Sequence, residues 1–176
     1  EIARAHKVDA SVIMEYPGND MTAPYQLEAG QKLIIPGGIR PHIPRRVFAY
    51  QGPIPENAKK GSGSFVWPTS GYITQGYWEG HHAIDIGAPQ GTPIVAADSG
   101  YVAVAQWSDV GYGRMVIIDH GNGFQTLYAH MLKYFVESGQ SVSKGQQIGQ
   151  CGSTGNATGP HLHFEVIKYC CSSWSC

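Results

Sequence analysis

The sequence predicts a mostly β protein: an antiparallel β-sheet domain over residues 65–168, behind a small α/β module at residues 1–38. Three observations carry that prediction. The 176 residues include 23 glycines and 11 prolines, a load that suits short strands joined by tight turns better than helical packing. Past Phe65, apolar residues alternate or run in short blocks bounded by Gly, Asn and Asp. No stretch of helical period separates those blocks, so they read as antiparallel neighbours rather than as a βαβ sheet.

Composition narrows the function classes. Charged residues are 14% of the chain, and a net charge of −1 with neutral histidines gives no electrostatic footing for nucleic acid. No run of about 18 apolar residues is present, so no transmembrane segment is expected. The chain opens on Glu1 rather than Met, as a processed mature chain or a fragment does. Cys151, Cys170, Cys171 and Cys176 permit three disulfide pairings in an oxidising compartment. They form no CxxC pair, which argues against a thiolate zinc site.

The N-terminal elements come first. "IARAHKV" has a short helical pattern, and "DASVIMEY" follows with Asp9 or Ser11 as the capping residue. "YQLEAGQKLIIPGG" then gives a turn at Ala29-Gly30 and a strand from Lys32 to Ile35. Two helices and one strand cannot bury a core alone, so a partner strand is expected upstream. The run Gly30-Gln31-Lys32-Leu33-Ile34-Ile35-Pro36 resembles the closing motif of a LysM module, of the form GQxLxIP. The resemblance implies a partial glycan-binding module that the chain enters part-way. Residues 39–64, with prolines, basic residues and "KKGSGS", read as a linker that is flexible at its Gly/Ser end.

The β elements follow. "PIVAAD" and "YVAVAQW" flank a turn at Ser99-Gly100. "RMVIIDHGNGFQTLYAHM" is a hairpin about Asn122-Gly123, both residues that tolerate positive φ. On its second strand, alternation sets Phe124, Thr126, Tyr128 and His130 on one face, and Gln125, Leu127, Ala129 and Met131 on the other. "SVSKGQQIGQCG" adds another turn and strand. In "TGPHLHFEV", His161, His163 and Glu165 share one face while Leu162, Phe164 and Val166 point to a core. Residues 169–176 form a Cys-rich tail of no assigned role.

Chemistry concentrates in the histidines. "EGHHAIDIGAPQGTP" sets His81 and Asp85 four residues apart, but its glycines and proline argue against a helix. In an extended strand those two backbones stand about 13 Å apart, so both reach one ion only if the chain bends near Ala83. Together, HxxxD and HxH offer nitrogen and oxygen ligands that suit zinc, and three protein ligands leave a position for water.

The stretches "HHAIDIGAPQGTPIVAADSGYV", "GYGRMVIIDHGNGFQTLYAHM" and "VESGQSVSKGQQIGQCGSTGNATGPHLHFEV" resemble the lysostaphin/LytM-type zinc metallopeptidases in order and separation. That resemblance implies His81, Asp85 and His163 as ligands of a Zn2+ cofactor, the family spacing selecting His81 over His82. It implies His130 and His161 as the catalytic pair and Tyr77 as an oxyanion helper. The implied activity is hydrolysis of peptide cross-links in bacterial peptidoglycan by metal-activated water, in a secreted, periplasmic or wall-associated protein. The alternatives are a silent wall-binding regulator of other hydrolases and a peptidase acting on glycine-rich proteins.

Other polar residues carry structural readings. Glu165 either orients an imidazole or is a solvated edge carboxylate. His6, His42 and His120 read as hydrogen-bonded residues, His120 supporting the hairpin turn. Asp98 and Asp119 read as turn residues, and "GSTGNATG" as turns beside the cleft. Ala83 replaces the glycine usual in the family, and Arg114 stands where relatives often carry Asn.

Overall fold

The computed structural model describes residues 3, 8–14, 34–35 and 49–169. The chain divides into two compact units, Glu1–Arg45 and Arg46–Cys176. In the first unit a short helix, α1 (Ala10–Met14), begins at Asp9, whose carboxylate accepts from the Ser11 amide at 3.1 Å. Asp9 is therefore the cap, holding one of the amides a helix start leaves unpaired. The LysM-like motif, His6, His42, Cys170, Cys171 and Cys176 lie outside the described residues, apart from Ile34 and Ile35.

The second unit is built from β1 (Tyr72–Gln75), β2 (Ile84–Gly87), β3 (Pro93–Val95), β4 (Gly100–Ser108) and β5 (Gly113–Asp119). It continues with β6 (Phe124–Ala129), β7 (Lys133–Tyr134), β8 (Ser141–Val142), β9 (Gln147–Gln150) and β10 (His161–Lys168). Seven strands form one sheet in the order β1-β2-β10-β6-β5-β4-β8, and three form a second in the order β3-β9-β7. Every named pairing is antiparallel, as the missing helical period predicts.

Both faces of the large sheet are buried near its centre. One face sends Ile86, Val116, Ile118, Tyr128, Leu162 and Phe164 into the main core, with Ile94 and Ile148 of the small sheet. The other carries a second cluster of Tyr112, Met115, Ile117, Leu127, Ala129 and Ile167. His163 pairs with Ala129, and Glu165 with Leu127, so the histidine face of β10 continues into this second cluster. Val166 departs from its expected place: it is 46% exposed, while Ile167 is buried instead. The second cluster covers the opposite face there, so the strand's apolar residues divide between two cores.

Two further expectations are corrected. The segment read as a linker is hydrogen-bonded to the sheet unit from Tyr50 onward. The Tyr50 amide donates to Gln125 Oε1 at 2.8 Å, and Gly61 N donates to the His120 carbonyl at 2.8 Å. Its Gly/Ser end is pinned too, because Gly63 N donates to Asp98 Oδ2 at 2.8 Å. A Cβ on Gly61 would stand 2.8 Å from the Ser99 carbonyl oxygen, so glycine serves close approach there rather than freedom.

The β5–β6 turn also differs from a two-residue Asn-Gly turn. The left-handed residues are Gly121 and Gly123, with φ of 62° and 87°. Asn122 acts through its side chain, whose oxygen accepts from Phe124 N at 3.2 Å. Cys151 is buried with a free thiol.

Candidate metal centre

Pairing of β2 with β10 sets Asp85 directly opposite His163. Directly paired residues point to the same face, so the carboxylate and the imidazole meet without any long-range adjustment. Asp85 Oδ1 lies 2.9 Å from His163 Nδ1. His81 arrives by a different route. A tight turn, closed by the Trp78 and His81 amides donating to each other's carbonyls at 3.1 and 2.8 Å, precedes a bend at buried Ala83. The bend replaces the extended separation and brings His81 Nε2 to 3.2 Å from Asp85 Oδ1. Ligand atoms of His81, Asp85 and His163 all lie within 4.8 Å of one another.

His161 and His130 close the group. The His161 ring is 4.7 Å from that of His130, and its Nε2 is 3.9 Å from Asp85 Oδ2. His130 corrects the alternation expected along β6. Strict alternation would place it with Tyr128, facing the main core. Its φ of 59° turns the chain into the left-handed region, and the ring emerges on the opposite face, 5.6 Å from His163. This is the one non-glycine positive φ among the described residues, held by a hydrogen bond from His130 Nδ1 to the Thr154 carbonyl at 2.8 Å.

Each of the four histidines has one ring nitrogen tied to an acceptor. His81 Nδ1 meets the Gly76 carbonyl at 3.1 Å, and His161 Nδ1 the Gly159 carbonyl at 2.8 Å. His130 Nδ1 meets Thr154, and His163 Nε2 meets Glu165 Oε1 at 2.8 Å. An acceptor fixes the proton on the nitrogen that faces it, so the second nitrogens of His130 and His161 keep their lone pairs. Those of His81 and His163 face Asp85 Oδ1 at 3.2 and 2.9 Å, where a cation would replace the shared proton. Three of the inward atoms converge, and atoms bonded to one zinc at about 2.0–2.1 Å sit about 3.4 Å apart. The spacings at Asp85 are close to that, and the donor set of two imidazoles and a carboxylate fits zinc.

Electrostatics follow from burial and these bonds. Burial opposes ionisation of Asp85, but the His163 hydrogen bond and the neighbouring histidines outweigh it and hold its pKa below the ordinary value. Burial likewise opposes charge on His163, yet its bonds to Asp85 and Glu165 raise its pKa. Burial dominates at His130 and lowers its pKa to about 4.

The remaining site expectations separate. Glu165 is 3% exposed and bonded to His163, so the solvated-edge alternative is excluded. Tyr77 is 69% exposed and stacks on His82, with ring centroids 5.4 Å apart. Sequence reasoning missed Tyr112, whose hydroxyl donates to Glu165 Oε1 at 2.7 Å. The signal for it was its place between Gly111 and Gly113, whose φ values of 108° and 64° turn the loop inward.

Comparison with known proteins places this arrangement. Residues 79–173 match the model of Peptidase family M23. The chain is 35% identical over 163 residues to the uncharacterized lipoprotein YgeR of Escherichia coli, covering 84% of this chain and 64% of that one. It is 44% identical over 87 residues to the peptidoglycan DD-endopeptidase ShyA of Vibrio cholerae, covering 49% of this chain and 20% of that one. The chain thus spans less than two thirds of either relative. Among solved structures, the antimicrobial peptidase lysostaphin of Staphylococcus simulans superposes with a TM-score of 0.52 at 37% identity. That superposition covers 60% of this chain and 44% of lysostaphin. With the match spanning more than half its length and the HxxxD and HxH residues meeting in one cluster, this chain belongs to peptidase family M23.

Proposed function

We propose that the protein is a zinc-dependent endopeptidase that hydrolyses peptide cross-links of bacterial peptidoglycan. One observation carries the reading: donor atoms of His81, Asp85 and His163 converge while His130 and His161 stand beside them with a nitrogen turned inward. His81 Nε2, Asp85 and His163 Nδ1 would hold the ion. Zinc supplies Lewis-acid activation of water and of the scissile carbonyl.

The rest of the chemistry belongs to the chain. His130 is neutral at physiological pH because burial lowers its pKa to about 4, so its Nε2 begins the cycle as a proton acceptor. His161, held through Nδ1 by Gly159, offers a second nitrogen for proton transfer to the leaving amine or for bonding the developing oxyanion. Tyr77, exposed and stacked on His82, would serve as an oxyanion helper. The LysM-like segment would hold the glycan and raise the local concentration of cross-links. Such a protein acts outside the cytoplasm, and no helix among the described residues is long and apolar enough to cross a membrane.

The test is digestion of purified sacculi by the zinc-loaded chain, with mass spectrometry of the released fragments. Soluble peptides with new amine and carboxyl ends, abolished by chelation and restored by zinc, are expected. Intact sacculi under a fully zinc-loaded protein would overturn the enzymatic reading in favour of a wall-binding regulator.

A further inference from the structure

Behind His163 runs a buried hydrogen-bond chain that proton transfer to substrate does not use. Glu165 Oε1 accepts from His163 Nε2 at 2.8 Å and from the Tyr112 hydroxyl at 2.7 Å. The Tyr112 ring also lies against His163, with centroids 5.5 Å apart. Tyr112, His163 and Glu165 are each 3% exposed. Glu165 Oε2 is buried with no hydrogen-bond partner among the described residues.

That last fact makes the carboxylate informative. An ion in a low-dielectric interior is tolerated when its charge is compensated, and a half-partnered one is costly. Its neighbours on this face, Leu127, Ile117 and Ile167, are apolar, so packing alone would favour an apolar residue. What the position lacks as packing it offers as an acceptor, for its Oε1 takes hydrogen bonds from both His163 and Tyr112.

We propose that Tyr112 and Glu165 are positioning residues for His163: the tyrosine hydroxyl fixes one carboxylate oxygen, which holds the imidazole proton on Nε2 so that Nδ1, turned to Asp85 and His81, is the atom that gives its lone pair to zinc. The proposal rests on the zinc reading above and extends it to residues outside the ligand set. Loop geometry serves the same end. Gly111 and Gly113 take left-handed φ on either side of Tyr112, and a Cβ on Gly113 would stand 2.5 Å from Thr154 backbone. Only glycine allows the close loop contact that turns the tyrosine inward.

The experiment measures zinc affinity of the full chain by competition with a chelator, for wild type, Glu165→Gln and Tyr112→Phe. Zinc-free thermal unfolding of each is the control. Glu165→Gln keeps an acceptor but removes the charge, and orienting partners of this kind are worth about 10- to 100-fold in metal affinity. Tyr112→Phe keeps the carboxylate and the ring, and should weaken zinc by up to about tenfold and by less than Glu165→Gln, because the bond it removes reaches the metal only through the carboxylate. In the zinc-loaded protein, the His163 Nε2–H proton resonance should move away from its hydrogen-bonded position in Glu165→Gln. Zinc bound equally tightly by all three proteins overturns the proposal and leaves the metal site standing. Lost folding in both variants, or lower zinc-free stability with unchanged affinity, makes the pair a structural buttress and also overturns it. A wild type that takes up no zinc overturns the metal site itself.

Discussion

His120 and His130 invite comparison, for each follows a central strand and each is buried, at 0% and 2% exposure. Burial is the largest influence on both rings and lowers both pKa values. Their surroundings part them. His120 Nδ1 donates to the Ser99 carbonyl at 2.8 Å, and its Nε2 lies 2.9 Å from the Thr126 hydroxyl. Thr126 Oγ1 is in turn 3.0 Å from the hydroxyl of buried Tyr128. Both nitrogens of His120 are thus consumed inside the core. His130 bonds through Nδ1 alone among the described residues, sits at a strained φ, and turns its other nitrogen toward His161 and His163. Neither burial nor a shifted pKa identifies a working histidine; an uncommitted nitrogen held at a conformational cost does.

The largest expected effect sharpens the contrast by removing a third histidine. His163→Ala should lose stoichiometric zinc and drop wall digestion to background, read by metal analysis alongside sacculus release. Next comes His130→Gly, which accepts the left-handed φ without strain. It should retain zinc yet lose about 10²–10⁴-fold in turnover, the usual worth of a general acid or base. Equal zinc loss in the two variants would erase the separation between ligands and proton carriers.

The same comparison explains what could be read from residues alone. Strands β4, β5, β6 and β10 follow from alternation, because one side chain in two must enter a core. The shared face of His161 and His163 follows likewise, and Asp85 joins it through strand pairing. His130 did not, since its placement depends on a single backbone torsion that the Thr154 carbonyl stabilises from 24 residues away. Tyr112 escaped notice because nothing periodic marks a loop residue, although its flanking glycines did. Residues 49–64 gave no sign of attachment, because their partners, Gln125, His120 and Asp98, are distant in the chain.

Smaller effects belong to the structural member of the pair. His120→Ala removes the bonds to Ser99 and Thr126 and the edge contact with Phe65, whose ring centroid is 5.4 Å away. A stability loss of about 2–4 kcal/mol is expected from the cavity and the orphaned polar groups. Denaturant midpoints report it, and zinc content and turnover per folded molecule should not change. A variant with normal stability and impaired turnover would move His120 into the site and dissolve the contrast.

The smallest effect tests the charge state of His120. Its pKa in the folded protein lies below the ordinary 6.5, because burial disfavours the charged ring. The unfolded chain therefore binds the proton first as pH falls, and protonation draws the equilibrium toward unfolding. The contribution of His120 is complete above about pH 6.5 and declines as pH drops toward the folded-state value, with a slope of at most about 1.4 kcal/mol per pH unit. The stability difference between wild type and His120→Ala, measured at several pH values, isolates this from the other histidines. It should be constant from pH 7 to 8 and shrink below 6.5. A difference that grows on acidification would mean a ring charged in the native state, for which the Ser99 carbonyl could still accept but the Thr126 hydroxyl would have to turn its proton away.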